Sequence, residues 1–146
     1  MYEKEIEIRW RDMDSYGHVN NGVFLNYLEE ARDEWLERAL GSAGSGWDYV
    51  LAHVAIDYLT ELRQKDDSVV VRCALESVGR SSLHLREEIA TRAGRLVARA
   101  ETVLVAFDRR RRRSRALRRA ERAAVERELR KRARTPASCE PTDGPQ

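Results

Sequence analysis

Two carboxylates, an imidazole and two amides stand in one short run, Asp12-Met13-Asp14-Ser15-Tyr16-Gly17-His18-Val19-Asn20-Asn21-Gly22. Carboxylates and imidazoles can act as nucleophile or general base, and amides can orient a water or cap a helix. A strand-like segment precedes the run and an amphipathic helical segment follows it. A helix start carries unpaired N–H groups and about half a positive charge, which makes it a seat for an oxyanion. The run therefore combines a candidate base with a candidate oxyanion seat.

Each of these residues also has a plainer reading. Asp14 is either the reacting carboxylate or an Asx-turn that shapes the loop. Asp12 reads first as turn shaping or a salt bridge. His18 either assists the base or satisfies backbone groups beside the helix start. Asn20 and Asn21 read first as caps and second as groups that orient water. Gly17 permits an unusual backbone angle close to a substrate. His53 and His84 read as ordinary strand or loop residues. Glu29 and Glu30 point about 100° apart on a helix, so they read as a solvated face and not as a close acid–base pair. Cys73 falls mid-strand and Cys139 near the C-terminus, so no Cys-His pair competes. There is no phosphate-binding or dinucleotide glycine motif and no Cys-x-x-Cys pair. No metal and no cofactor are expected.

The elements that must position the run follow from hydrophobic spacing. Ile6, Ile8 and Trp10 alternate with Glu5, Glu7 and Arg9, which predicts a half-buried strand. Val23, Phe24, Tyr27, Leu28, Ala31, Trp35 and Leu36 recur at helical spacing. Glu29, Glu30, Arg32, Asp33, Glu34 and Glu37 fall on the opposite face. This helix should lie against a sheet, with its N-terminus buried near the end of the first strand. The Gly41–Gly46 stretch stops it and opens a flexible loop. Four further strands are expected over 54–62, 69–78, 82–91 and 96–107 as an antiparallel meander, with Glu87 breaking the pattern of the third. The fold class is α+β, one apolar helix against one face of an antiparallel sheet.

Charge divides the chain of 146 residues, a length that suits one domain. Residues 1–108 hold 13 basic and 20 acidic residues, whereas residues 109–134 hold 14 Arg or Lys and three Glu. The second segment has Leu117, Ala120, Ala124, Val125 and Leu129 at helical spacing, so 109–132 reads as a basic C-terminal helix. Residues 133–146 contain all three prolines and read as a disordered tail. The Arg109–Arg113 run reads first as a solvated face, second as an aid to binding phosphates and third as a nucleic-acid patch. Residues 108–134 hold no aromatic side chain to stack on bases. The N-terminus has no apolar signal core, no apolar run approaches a membrane span, and two cysteines are too few for a disulfide framework. A cytoplasmic setting without membrane contact is the reading.

The pattern Asp-x-Asp-x-x-Gly-His-Val-Asn-Asn, followed by an apolar helix with Ala31-Arg32-x-x-Trp35, resembles the hotdog-fold thioesterases. Within them it resembles the 4-hydroxybenzoyl-CoA thioesterase-like acyl-CoA thioesterases. His18-Val19-Asn20-Asn21 is also similar to the plant acyl-ACP thioesterases. Ile56-Asp57-Tyr58-Leu59 and Gly79-Arg80-Ser81-Ser82-Leu83 match the family's second strand and its third-to-fourth strand turn. The resemblance implies a hotdog fold, a long helix wrapped by a five-stranded antiparallel sheet over residues 1–132, and hydrolysis of acyl-CoA or acyl-ACP thioesters without a metal. It implies homodimers or homotetramers whose sheets join edge to edge, with active sites at the interface. Carried over by position, Asp14 is the catalytic carboxylate, as nucleophile through a mixed anhydride or as base for a water. Backbone N–H groups at Asn21 and Gly22 polarise the carbonyl, and His18 assists. Gly17 and Asn20 border the substrate, and Arg80 and Ser82 meet the CoA phosphates. Two features depart from the family pattern: Glu61, where many relatives have Pro, and the Arg109–Arg113 run. Three other functions stay open: a hotdog protein that binds thioesters without turnover, a dehydratase using His18, and a small nucleic-acid-binding protein using 109–132.

Overall fold

The computed structural model describes residues 1–134. Alternation produces β1 (Tyr2–Glu7), β3 (Ser68–Val78), β4 (Ser82–Thr91) and β5 (Leu96–Asp108) close to the expected bounds. The helical spacing produces α1 (Asn21–Leu40). Trp10 does not continue β1. It opens a short 3₁₀ turn and is exposed, because the Asp12 carboxylate accepts the Arg9 N–H and bends the chain there.

β2 runs Tyr49–Tyr58, earlier than expected. A bulge between Leu51 and His53 shifts its alternation, which hid the start of the strand. The sheet order is β1-β3-β4-β5-β2, antiparallel throughout. The meander therefore holds only for β3 to β5. Residues 59–67 are too long for a tight hairpin, so β2 does not join β3 but pairs with β5 at the far edge.

The basic segment is not one helix from 109. Residues 109–112 turn the chain into a two-residue strand, β6 (Arg113–Ser114), paired with the end of β5. Arg112 takes φ 55°, which a helix does not allow. The second helix, α2, spans Arg119–Arg134. The tail expected over 133–146 lies, from residue 135 onward, outside the described residues.

The core lies between α1 and the inner sheet face. Phe24, Leu28, Ala31, Leu36 and Leu40 meet Val71, Leu83, Leu85, Ile89 and Leu104. Arg32 does not belong to the solvated face. It is 3% exposed and its Nη1 donates to both oxygens of Glu87, at 3.2 Å each, with Glu87 fully buried on β4. The Thr102 hydroxyl donates to the same carboxylate at 2.6 Å, and Cys73 Sγ approaches it at 3.7 Å. The break that Glu87 makes in the β4 pattern is thus the acceptor for a cation on α1. The helix crosses the sheet where these two groups meet.

α2 is fixed by a second buried carboxylate. Glu121 accepts two hydrogen bonds from Arg115, at 2.8 and 2.9 Å, and one from the Arg118 N–H at 2.8 Å. The last is half of a capping box at the helix start. Burial raises the Glu121 carboxyl, but these donors outweigh it and the net shift is downward. α2 and the segment leading into it hold the β3–β4 turn, through Arg122 to the Gly79 carbonyl at 3.0 Å and Leu117 N–H to the Arg80 carbonyl at 3.0 Å.

Replacing Glu87 by Ala leaves the Arg32 charge buried without a partner. Equilibrium urea unfolding is expected to show a loss of about 3–5 kcal/mol, with much of it recovered in the Arg32→Met, Glu87→Leu double variant. Because the Glu121 shift is downward, its contribution is present above the ordinary Glu range and fades as pH falls through the depressed value. Hydrogen exchange is expected to show α2 amides losing protection in acid below about pH 4, and already at neutral pH in Glu121→Gln.

Candidate active site

The run between β1 and α1 folds as a small closed loop. Met13 and Val19 form an antiparallel bridge, Asp14 N–H donates to the His18 carbonyl at 3.0 Å, and Gly17 N–H donates to the Asp14 carbonyl at 3.2 Å. Gly17 takes φ 80° to close the turn, which a side chain would disfavour. Val19 N–H to the Leu62 carbonyl at 2.7 Å and Asn20 N–H to the Asp12 carbonyl at 2.9 Å tie the loop to its surroundings.

The two aspartates do different work. Asp12 is buried, and its Oδ2 accepts both the Arg9 N–H at 2.9 Å and the Tyr27 hydroxyl of α1 at 2.7 Å. Burial and this bond push the Tyr27 hydroxyl well above its ordinary value, so it remains a donor. Asp12 is therefore the strut that joins the loop to the helix. Asp14 is reachable, with 17% of its side chain exposed. Its Oδ1 accepts the Tyr16 N–H at 2.9 Å, an Asx-turn, and its Oδ2 lies 3.3 Å from His18 Nδ1.

His18 Nδ1 also lies 3.2 Å from the Val19 carbonyl. Both neighbours are acceptors, so Nδ1 carries the hydrogen and Nε2 keeps its lone pair when the ring is neutral. The Tyr16 ring stacks on the imidazole at 5.9 Å and 16°.

Asn20 caps α1, its Oδ1 accepting the Gly22 N–H at 2.9 Å. Val23 N–H bonds to the Asn20 carbonyl at 2.9 Å. The Asn21 N–H is then the first-turn donor with no acceptor among the described residues. The helix start is not buried as expected: Asn20, Asn21 and Gly22 are exposed, since nothing in one chain covers them.

Beside the helix start lies a cleft of about 260 Å³ lined by His18, Val19, Asn21, Phe24, Tyr58 and Leu59, with Thr60, Glu61 and Leu62 at its other wall. Asp14 does not line it and meets it through His18. Tyr58 donates its hydroxyl to the Asn21 carbonyl at 2.9 Å and sets its ring edge-on to Phe24 at 5.2 Å. Hydrophobic spacing alone gave Tyr58 and Phe24 no site role. What marks Tyr58 is its place at the end of β2, next to the helix start.

Asp14, Gly17, His18, Asn20, Asn21 and Gly22 are thus together, whereas Arg80 and Ser82 are not with them. The β3–β4 turn is bonded to β5 by Ala106 N–H to the Ser81 carbonyl at 2.8 Å, and Ala106 pairs with Tyr49 at the start of β2. Tyr58, at the other end of β2, touches Asn21. Nine residues of strand separate the two places, roughly 30 Å. Arg80 is exposed, and Ser82 Oγ lies 3.2 Å from His84 Nε2.

The model of the thioesterase-like superfamily matches residues 8–137. The chain belongs to that superfamily. A thioesterase from Thermus thermophilus, solved with coenzyme A and Zn, is 31% identical to the thioesterase-like chain, with a TM-score of 0.77 over 86% of this chain and 92% of that one. Slr0204 from Synechocystis, a 1,4-dihydroxy-2-naphthoyl-CoA thioesterase, is 22% identical with a TM-score of 0.70 over 85% and 94%, a likeness of fold. The chloroplastic acyl-acyl carrier protein thioesterase ATL3 of Arabidopsis thaliana is 34% identical over 74 residues, 47% of this chain. The matched stretch spans 38% of that relative. The fold is the hotdog fold of these thioesterase structures, and no helix among the described residues is long and apolar enough to cross a membrane.

The separate roles of the aspartates give a test. Asp12→Ala strands the Tyr27 hydroxyl and the Arg9 N–H, and chemical denaturation is expected to show a loss of about 1–3 kcal/mol. Asp14→Ala removes only solvent-reachable loop contacts, to the Tyr16 N–H and to His18, and is expected to cost less than half of that.

Proposed function

We propose that this thioesterase-like chain hydrolyses acyl-CoA thioesters to the free acid and CoA, with the Asp14 carboxylate as nucleophile or general base. The observation that carries the reading is the Asp14–His18 contact set beside the Asn21 N–H, which has no acceptor among the described residues, at a cleft with Phe24, Tyr58 and Leu59 in its lining. In the general-base form, Asp14 takes a proton from water and the resulting hydroxide adds to the thioester carbonyl. The oxyanion forms at the start of α1, where the Asn21 N–H and the helix dipole stabilise it. Collapse of the intermediate breaks the C–S bond and releases the thiolate of CoA. The His18 Nδ1–H orients the carboxylate, and Phe24, Tyr58 and Leu59 receive the acyl group. Asn20 serves by capping, and its bond to the Gly22 N–H leaves Asn21 as the donor of choice.

A second copy completes the site in this reading. Leu51, Tyr58 and Leu59 on the edge strand β2 and just beyond are 49%, 44% and 45% exposed. An antiparallel pairing of β2 with β2 of another copy covers them. It also brings the partner's Arg80 end to the Asp14 end, which answers the roughly 30 Å gap within one chain. Arg80 and Ser82 then anchor the carrier phosphates across the interface.

The test is release of free thiol from aromatic, short-chain and long-chain acyl-CoAs. Asp14→Asn is expected to lower kcat by about a hundredfold or more, with an unchanged melting temperature. Wild type that binds acyl-CoA but releases no thiol makes the protein a binder without turnover. Undiminished turnover in the variant moves the base elsewhere.

A further inference from the structure

Tyr58 touches the helix start and the cleft at once, and the reaction above uses only its ring. Its hydroxyl donates to the Asn21 carbonyl at 2.9 Å. Among the described residues this is the only hydrogen bond between β2 and α1. The sheet fixes where that hydroxyl sits. Tyr58 pairs with Ala98 of β5, and the Leu59 N–H donates to the Val97 carbonyl at 2.9 Å. Two residues beyond Tyr58, the Thr60 hydroxyl oxygen accepts Arg95 Nη1 at 2.9 Å. The Tyr58 ring stands edge-on to Phe24 at 5.2 Å, and Phe24 is buried. Backbone and ring are therefore both held, and the hydroxyl is aimed at α1.

The helix needs such a support. A helix start frays, because its first N–H groups have no helical acceptor. Here the start is exposed, and it carries Gly22, a weak helix former. The peptide that joins Asn21 to Gly22 is held at both ends. Asn20 Oδ1 accepts its N–H at 2.9 Å, and the Tyr58 hydroxyl donates to its carbonyl at 2.9 Å. The peptide before it is held by the Val23 N–H on the Asn20 carbonyl, also at 2.9 Å. With both peptide planes set, the Asn21 N–H between them keeps one direction. Tyr58 does not itself serve as an oxyanion donor, since a phenol has one hydrogen and this one is committed.

We infer that Tyr58 is a positioning residue, whose hydroxyl fixes the first turn of α1 and so holds the Asn21 N–H toward the cleft that Asn21 lines. That N–H meets an oxyanion only under the thioesterase reading above, on which this assignment rests. An oxyanion donor acts only from the right place, and a misplacement of about 1 Å can cost a hundredfold in rate. As a wall for the acyl group, Tyr58 needs its ring alone. The hydroxyl is the part that serves position, and it does so from an edge strand that otherwise reaches α1 only through the Phe24 ring contact.

The experiment compares wild type with Tyr58→Phe, which keeps the ring, on an acyl-CoA that wild type cleaves. In the variant kcat is expected to fall about tenfold, while KM changes less than about twofold. The pH midpoint of kcat is expected to stay in place, because the Asp14–His18 contact is untouched. An unchanged kcat overturns the inference and leaves Tyr58 as a wall of the cleft. A KM raised about tenfold at constant kcat also overturns it, and makes the hydroxyl a substrate contact. A second measurement does not depend on turnover: amide hydrogen exchange along α1 in the two chains. The Gly22 and Val23 amides are expected to exchange about fivefold faster in Tyr58→Phe, with those from Leu28 onward unchanged. If wild type cleaves no acyl-CoA, the thioesterase reading fails, and this exchange still decides whether Tyr58 fixes the helix start. Equal exchange in both chains overturns the inference even where acyl-CoA is cleaved.

Discussion

The ion pair between Arg32 and Glu87 sets the rest of the molecule. A guanidinium and a carboxylate buried together add little net stability over apolar residues, because each loses its hydration. What they do impose is position. An apolar helix can slide or rotate on an apolar sheet at small cost, whereas a buried charge has one acceptable partner. Arg32 finds it only when α1 crosses β4 at Glu87, with Thr102 of β5 completing the carboxylate's shell. Burial pushes the Glu87 carboxyl upward and Arg32 opposes that. Eleven residues before Arg32, the helix start is then fixed in place, and the Asp14 loop is tied to it through Asp12 and Tyr27.

The same crossing explains what one chain leaves open. α1 lies closest to β3 and β1, so β2 at the opposite edge is beyond its cover and most of its residues stay exposed. The helix start, the cleft and the bare strand are therefore neighbours. A site at such a margin has one finished wall, formed by His18, Asn21 and Phe24, and one side facing outward.

How much of this was legible in the sequence depends on how far each residue's partner lies along the chain. Local patterns read well: β3 to β5 from alternation, α1 from its stripe, and Asn20 as a cap whose acceptor role is two residues long. Asp12 was legible as a structural residue, because a carboxylate before a turn bonds nearby N–H groups. Arg32 was not, since a lone arginine among acids on a helix reads as surface. Its partner is 55 residues away. Yet Glu87 marks itself by breaking the β4 alternation, and the two anomalies belong together. β2 was displaced in the reading because its bulge breaks the period on which the reading relied. The motif from which Arg80 and Ser82 were read as anchors carried no information about which sheet end would hold them.

The arginine-rich segment shows why composition and structure part company. Its helical spacing is real from Arg119 onward, where Ala124 and Val125 are buried. Before that, the backbone at Arg112 takes a left-handed angle and the run becomes a hairpin. A sequence of like charges gives no periodic signal to reveal the turn; Asp108 does, as the only acid adjoining the run and the acceptor that shapes its tip. Two carboxylates, Asp108 and Glu121, thus organise the segment, one by accepting backbone N–H groups and the other by accepting Arg115. Asp108 also attracts Arg111 and Arg113 without forming a direct ion pair with them. The segment is thus held by bonds to its backbone and by Arg115 and Arg122, while most of its other guanidiniums stay exposed.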